Sequence, residues 1–214
     1  MNQNKTQLVL IVDRSGSMES IKTDAQGGIN TLIEKQKQES GECHLTIVDF
    51  DGIIETVYDG DIKDCKGYTL VPRGSTALFD AVGKTINEVG FKLASLYEKD
   101  RPGLVAVFVV TDGQENASRE FTSETVKTMI EHQSTKYNWQ FDFMCADKAS
   151  VFMAKSLGFK AAVQYDVNNV LQMYGSVSSK VTRMRGLQAS GCNPSCTYTD
   201  EELTSMNAGE VVNG

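Results

Sequence analysis

The sequence predicts a Rossmann-like, doubly wound α/β fold, in which a mostly parallel central sheet carries helices on both faces. Two runs of consecutive apolar residues, 8–12 and 104–110, are typical of strands that are covered on both sides in a parallel sheet. Between such runs, apolar residues recur every three or four positions, which is the period of an amphipathic helix. The two patterns alternate in the order β-α-β-β-α-β-α-β-α-β-α.

The first elements are a strand, a helix and a hairpin. Apolar residues over 18–33 lie on one helical face, which Gly27-Gly28 interrupts at a cost of about 1 kcal/mol per glycine. A close helix–sheet contact is the expected reason for the pair. Asp51-Gly52 divides the strand-like segment 43–58, and Asp-Gly between two strands is a strong hairpin signal. One antiparallel edge strand is therefore expected.

The later elements repeat the alternation of strand and helix. Apolar residues at steps of three or four predict a long helix from about Ala77, a second helix near 122–132 and a closing helix over 167–181. A further helix is expected over 149–157, with Gly158 directly after its end. Strand-like segments at 139–145 and 161–165 lie between these helices.

We divide the chain into an α/β domain over 1–183 and a flexible C-terminal tail over 184–214. The tail is rich in Gly, Ser and Asn and has few apolar residues. Within it, Thr199 and Glu202 form a capping-box pattern, which favours a short helix at 200–206. A mobile tail is the simpler interpretation, and a helix that binds a partner or packs on the domain is the alternative.

The composition excludes several classes of function. The chain has 214 residues and a formal net charge of −7, which argues against binding to nucleic acid or to an anionic membrane. No apolar run approaches the length of a membrane span or of a signal peptide. Five cysteines, an odd number, suit a reducing compartment better than a disulfide framework, so we expect a cytoplasmic protein. Two histidines leave little scope for a His-rich metal site.

Five oxygen-bearing residues define a candidate metal site. Asp13, Ser15 and Ser17 form an Asp-x-Ser-x-Ser pattern at the end of the first predicted strand, Thr76 begins the long helix, and Asp112 ends the second apolar run. The carboxyl ends of parallel strands meet at one edge of the sheet, where ligands bind. Mg²⁺ prefers oxygen ligands in octahedral geometry. The pattern therefore predicts a site for Mg²⁺ or Mn²⁺, with one position open for a carboxylate from another molecule.

These motifs resemble the metal-ion-dependent adhesion site of von Willebrand factor type A domains. The family pattern is Asp-x-Ser-x-Ser followed by a distant Thr and a distant Asp, and the chain has all five residues. The resemblance covers about 5–183. The longer strings at 73–82 and 111–120 are most similar to small cytosolic bacterial and phage members.

The resemblance also implies a role for each of the five residues. Ser15, Ser17 and Thr76 would be direct ligands of the ion, and Asp13 and Asp112 would often act through bound water. The function implied is non-enzymatic binding of a protein partner, in which the ion coordinates an acidic residue of that partner.

Two further functions stay open. A metal-dependent phosphoryl-transfer enzyme or phosphoacceptor is one, because such folds also place an Asp at the end of the first strand. Ser15 and Ser17 stand where that chemistry needs further carboxylates, which disfavours it. The other is an assembly or scaffold component of a phage or stress-response complex. The oligomeric state is not predicted.

Several other features are interpreted more simply. Residues 83–85, Gly-Lys-Thr, mimic the end of a P-loop but lack its first glycine and fall inside a helix. Cys192 and Cys196 have no nearby His or further Cys and are expected to be free thiols rather than a zinc site. Asp80 and Glu115 are expected near the metal site as outer or rim groups.

Overall fold

The computed structural model describes residues 1–195 and 197–213. Strands and helices alternate along these residues, with short 3₁₀ helices at Gly16–Ile21, Ile62–Asp64, Glu98–Asp100 and Val167–Asn169. The strands and α-helices of the described residues are β1 (Asn2–Asp13), α1 (Lys22–Gln38), β2 (Glu42–Phe50), β3 (Ile54–Asp61), α2 (Leu78–Ala94), β4 (Pro102–Thr111), α3 (Ser123–Tyr137), β5 (Gln140–Cys145), α4 (Lys148–Ser156), β6 (Ala161–Gln164), α5 (Val170–Ala189), α6 (Asp200–Ser205) and β7 (Val211–Asn213).

One sheet organises the domain, with the strand order β3-β2-β1-β4-β5-β6-β7. The five inner strands are parallel, and β3 pairs antiparallel with β2 across the turn that Asp51-Gly52 predicts. The predicted fold class is confirmed. The structure adds a second antiparallel strand at the opposite edge, β7 on β6. Three residues are too few to show a strand period in the sequence.

Helices cover both faces of the sheet, over two separate apolar clusters. In β1, Leu8, Leu10 and Val12 belong to the cluster under α1 and α5, whereas Val9 and Ile11 belong to the cluster under α2, α3 and α4. All five are at most 1% exposed. Burial on both faces explains why this strand is apolar without alternation. Within the described residues, no helix combines the length and the apolar character that crossing a bilayer requires.

Parts of the segment after residue 183 pack on the domain, whereas residues 190–193 are exposed. The boundary that we placed at 183 falls inside α5, and Met184 is fully buried in the core. Tyr198 and Met206 are buried in the same cluster. The short helix proposed at 200–206 corresponds to α6. The few apolar residues of this segment include the ones that pack against the core. The average composition of the segment does not show this, because it counts apolar residues without their positions.

A buried polar group joins this segment to the sheet. Lys180 Nζ lies 2.6 Å from Asp142 Oδ2, and the Tyr198 hydroxyl donates to the same oxygen at 2.9 Å. Lys180 and Asp142 are almost fully inaccessible to solvent. Such a pair is costly to break because either charge alone would remain buried without compensation. Of the two cysteines in this segment, Cys192 is a free, exposed thiol, and Cys196 lies outside the described residues.

The Gly27-Gly28 pair serves a contact between helices rather than the expected contact with the sheet. A Cβ atom added to Gly28 would lie 2.4 Å from Cδ2 of Tyr174 in α5, whose ring is buried. A Cβ atom at Gly27 would meet Leu171 Cδ2 at 3.5 Å, an ordinary contact. The packing of α1 on α5 therefore requires glycine at position 28 only.

This difference gives a matched pair of variants. We expect Gly28→Ala to lower the free energy of unfolding by about 1–3 kcal/mol, because the added methyl group overpacks the buried ring of Tyr174. We expect Gly27→Ala to raise it by up to about 1 kcal/mol, because alanine favours the helix. Urea unfolding followed by circular dichroism measures both. Equal effects of the two variants would contradict this interpretation of the packing.

Candidate metal centre

The structure brings the five predicted residues to the carboxyl edge of the sheet. Asp13 is the last residue of β1, Asp112 follows the last residue of β4, and Thr76 lies two residues before α2. Backbone hydrogen bonds hold the loops together: the Gly16 amide donates to the Gly74 carbonyl at 3.3 Å. The site is thus made from three segments that are distant in sequence.

The hydroxyl groups converge on one small space. Ser15 Oγ lies 3.0 Å from Ser17 Oγ, and Ser17 Oγ donates to Asp112 Oδ1 at 2.6 Å. A Cβ atom added to Gly113 would lie 3.6 Å from both Ser17 Oγ and Thr76 Oγ1. The hydroxyls of two separate loops therefore border the same space beside Gly113.

Asp13 lies on the buried side of the site. Its side chain is fully buried, the Ser15 amide donates to Oδ1 at 2.6 Å, and the Thr111 hydroxyl donates to Oδ2 at 2.5 Å. Both carboxylate oxygens thus already accept hydrogen bonds from the protein. This arrangement suits an outer position, in which Asp13 acts on an ion through water, better than direct ligation.

The electrostatics of the site favour a cation. Burial raises the pKa of Asp13, and the negative charge of Asp112 raises it further against the hydrogen bonds from Thr111 and Ser15. Burial also raises the pKa of Asp112, against the hydrogen bond from Ser17. Two carboxylates that are costly to ionise together are stabilised when a divalent ion lies near them.

The donor set fits an ion that prefers oxygen. Within the described residues, no group of three or more His, Cys, Asp or Glu side chains is placed to hold a metal. A coordination shell at this edge would therefore draw on neutral oxygen ligands, such as the three hydroxyl groups and water, besides the two carboxylates. That is the chemistry of Mg²⁺ and Mn²⁺ rather than of Zn²⁺, which takes nitrogen and sulfur ligands.

The sequence analysis missed two residues that position the site. Asn116 forms two hydrogen bonds with the backbone of Thr76. Its side-chain Oδ1 accepts from the Thr76 backbone amide at 3.0 Å, and its backbone amide donates to the Thr76 carbonyl at 3.0 Å. Thr111 orients Asp13 as described above. Both residues lie within four positions of Asp112 in the sequence, which indicates that they are near the site. Proximity in sequence does not predict which loop they contact.

Asp80 and Glu115 have a structural role near the site. Asp80 accepts hydrogen bonds from three consecutive backbone amides, those of residues 119–121, at 2.8–2.9 Å. Glu115 accepts from the Phe79 amide at 3.0 Å and from the Ser118 hydroxyl at 2.7 Å. The two carboxylates therefore bind the loop after β4 to the first turn of α2, and in this way they keep Thr76 and Asp112 in neighbouring loops.

A buried charge cluster on the other side of the site joins the β2–β3 hairpin to the Thr76 loop. Arg14 is 5% exposed; its Nη1 lies 2.9 Å from Glu55 Oε2, and its Nε lies 3.6 Å from Asp51 Oδ2. Asp51 also accepts from Arg73 Nε at 2.9 Å, and its carbonyl accepts from the Ala77 amide at 2.9 Å. Arg14, the residue directly after Asp13, thus contacts the hairpin that holds the loop carrying Thr76.

Among the comparisons with known proteins, only the one with solved structures gives matches, and these agree with this architecture. No protein-family model matches the chain, and no curated protein matches its sequence. Solved structures do match: the ArnB paralog VWA2 from Sulfolobus acidocaldarius is 17% identical over 84% of this chain, with a TM-score of 0.55. A von Willebrand factor type A protein from Catenulispora acidiphila is 14% identical over 84%, with a TM-score of 0.56.

The fold is of the von Willebrand factor type A kind. The pilus adhesin SpaC from Lactobacillus rhamnosus GG is a third similar structure, with 11% identity over 84% of this chain and a TM-score of 0.60. These matches span less than half of each of the three solved chains, namely 45%, 43% and 30%. At such identities the similarity concerns the fold, and the metal site rests on the residues described above.

The charge cluster predicts a pH dependence of stability. Asp49 belongs to this cluster, since its Oδ2 lies 3.9 Å from Arg14 Nη1. Burial raises the pKa of Asp49 from 3.8 to about 6, against the hydrogen bond from Tyr68 and the charge of Arg14. Between about pH 4 and pH 6 the folded protein therefore holds a proton that the unfolded chain releases, so stability falls as the pH rises. The loss reaches about 3 kcal/mol. We expect Asp49→Asn to remove this part of the pH dependence.

Urea unfolding of wild type and variant at pH 4.5, 5.5 and 7 measures the difference. Asp59→Asn is the matched control, since hydrogen bonds from Lys92, His44 and Thr46 outweigh desolvation and lower the pKa of Asp59. The stability contributed by Asp59 is present above its unfolded pKa and is lost as the pH falls, which is the opposite sign. A wild-type pH profile that Asp49→Asn leaves unchanged would refute the assignment.

Proposed function

We propose that this protein is a non-enzymatic, metal-dependent protein-binding module. Ser15, Ser17 and Thr76 bind Mg²⁺ or Mn²⁺ directly, and Asp13 and Asp112 act largely through water. The ion takes a carboxylate of an acidic residue on a protein partner as a further ligand. The observation that carries the proposal is the convergence of Ser17, Thr76 and Asp112 around the space beside Gly113.

The donor set explains why such an ion would attract a carboxylate. Hydroxyl ligands are neutral, so they leave most of the ion's charge uncompensated and the ion remains a strong electrophile. Ser15 and Thr76 are buried, whereas Ser17 is exposed and Asp112 is partly exposed. The site is therefore closed on the protein side and open to solvent beside Ser17, where a partner's side chain can enter.

Phosphoryl transfer is less well supported by the geometry. A phosphoacceptor carboxylate needs a free oxygen facing its substrate, but Asp13 is fully buried and both of its oxygens accept hydrogen bonds. The similarity in fold to a pilus adhesin agrees with a binding role. We further propose a cytoplasmic location, since the four described cysteines are free thiols. A bacterial or phage origin is proposed only from the resemblance of the strings at 73–82 and 111–120.

The first test is metal affinity. We expect isothermal titration calorimetry to show Mg²⁺ and Mn²⁺ binding to the wild-type protein and at least a tenfold weaker affinity in Thr76→Ala, because a direct ligand is removed. Thr128→Ala is the matched control, since Thr128 is an exposed threonine of α3. Absent binding in wild type, or equal binding in Thr76→Ala, would refute the metal site.

The second test concerns the open coordination position. A carboxylate that displaces water from bound Mn²⁺ lowers the water-proton relaxation rate of the loaded protein. We expect acetate to lower this rate saturably in the wild-type protein, and acetamide, its neutral analogue, to have no effect. If acetate leaves the relaxation rate unchanged while Mn²⁺ remains bound, the metal site stands but carboxylate capture does not.

A further inference from the structure

A second concave site lies at the other end of the sheet. It is a cavity of about 570 Å³ between the C-terminal ends of α2 and α3, with the start of β4 and Trp139 among the residues that line it. Gly90, Phe91 and Ala94 contribute one stripe of α2, and the last turns of α3 face them. We call this site the α2–α3 groove. Its volume lies within the range of ordinary small-molecule sites.

The groove exposes large aromatic side chains that are not buried in the core of the domain. Phe91 is 81% exposed and Tyr137 is 49% exposed, although both are large aromatic side chains. Trp139 lines the same cavity and is only 5% exposed. Aromatic side chains that gather around a cavity and stay open to solvent indicate a binding surface, whereas apolar residues scattered singly do not.

The charges of the groove are opposite in sign to those of the whole chain. The protein carries −7, yet of the groove's three Lys, Arg, Asp or Glu residues two are cationic, Arg101 and Lys136, against Glu98. Arg101 is fixed in place, because its guanidinium donates to the carbonyls of Leu96 and Ala94 at 3.1 and 3.0 Å. A positive wall beside an apolar floor favours a ligand with an apolar body and an anionic head.

We propose that the α2–α3 groove binds a small amphipathic carboxylate, an alkyl or aryl chain that ends in a carboxylate group. The chain lies over Trp139 between Phe91 and Tyr137, and the carboxylate lies beside Lys136 and Arg101. The groove is at the opposite edge of the sheet from the metal centre. The ten residues of β4 separate the two sites, a distance of about 30 Å, so this binding requires no metal.

The chain offers its own reporter, because Trp139 is its single tryptophan and lines the groove. Decanoate and decyltrimethylammonium carry the same alkyl chain with opposite charges, and both are used below their micelle concentrations. We expect decanoate to change the fluorescence of Trp139 saturably and the cation to bind at least fivefold more weakly. The response should persist in EDTA and in Thr76→Ala, which separates it from the metal site.

Two variants test the two halves of the groove. Phe91→Ala should weaken decanoate binding about tenfold, because it removes an apolar wall. Lys136→Glu should weaken decanoate about fivefold and strengthen binding of the cation. The matched controls are Phe152→Ala, an exposed phenylalanine of α4, and Lys84→Glu, an exposed lysine of α2 that does not line the groove.

Each outcome is decisive for the proposal. A decanoate response that Phe91→Ala and Lys136→Glu both weaken, and that the controls leave intact, supports it. An unchanged Trp139 emission overturns it, and so does an equal response to the two amphiphiles. A response that the groove variants do not alter places the ligand elsewhere and also overturns it.

Discussion

The candidate site depends on one constraint, the burial of a parallel sheet on both of its faces. Because β1 and β4 are neighbours in parallel register, with Val12 opposite Val110, their last residues emerge side by side. Asp13 and Thr111 therefore meet, and the Thr111 hydroxyl donates to the Asp13 carboxylate. Chain direction and hydrophobic burial alone bring together these residues, which are distant in sequence. The polar edge is a consequence of the apolar core, since the backbone can leave the sheet only where the strands end.

The second constraint is electrostatic. The fold places Asp13 and Asp112 close enough for the charge of one to raise the pKa of the other, in surroundings where burial already disfavours ionisation. Hydrogen bonds from Thr111, Ser15 and Ser17 offset part of this cost. They leave the site short of positive charge, whereas the neighbouring Asp51 has Arg14 and Arg73 beside it. Arginine compensates the charge of Asp51, which therefore has a structural role. Asp13 and Asp112 have only hydroxyl and amide groups beside them, and this difference makes their site suited to an ion.

Much of the fold and of the candidate site could be predicted from the sequence. The features that could not be predicted have one physical cause in common, namely contacts between residues that are distant in the chain. The apolar runs and helical periods predict the sheet, its order of elements and the β2–β3 hairpin, because each is a local pattern. The positions of Asp13, Ser15, Ser17 and Asp112 follow from strand ends, and that of Thr76 follows from the start of the long helix. Asn116 and the Arg14 cluster were missed because their partners lie about 40 residues away. The segment after residue 183 was assigned to a tail because its contacts depend on a few isolated residues, such as Tyr198 and Met206.

The two ends of the sheet have opposite chemical character, and this follows from the helices. At the carboxyl edge, the strands lead into loops and helix N-termini, so backbone amides and short polar side chains gather there. At the amino edge, α2 and α3 end, and Arg101 donates to the carbonyl of Ala94, the last residue of α2, and to that of Leu96. This arginine also borders the aromatic groove. Helix N-termini by themselves favour anions, so the cation that we propose at the carboxyl edge depends on the negative charge of Asp13 and Asp112. The anion that we propose at the amino edge depends on Arg101 and Lys136. Because the two proposed sites lie at opposite ends of β4, we expect each to bind its ligand without the other.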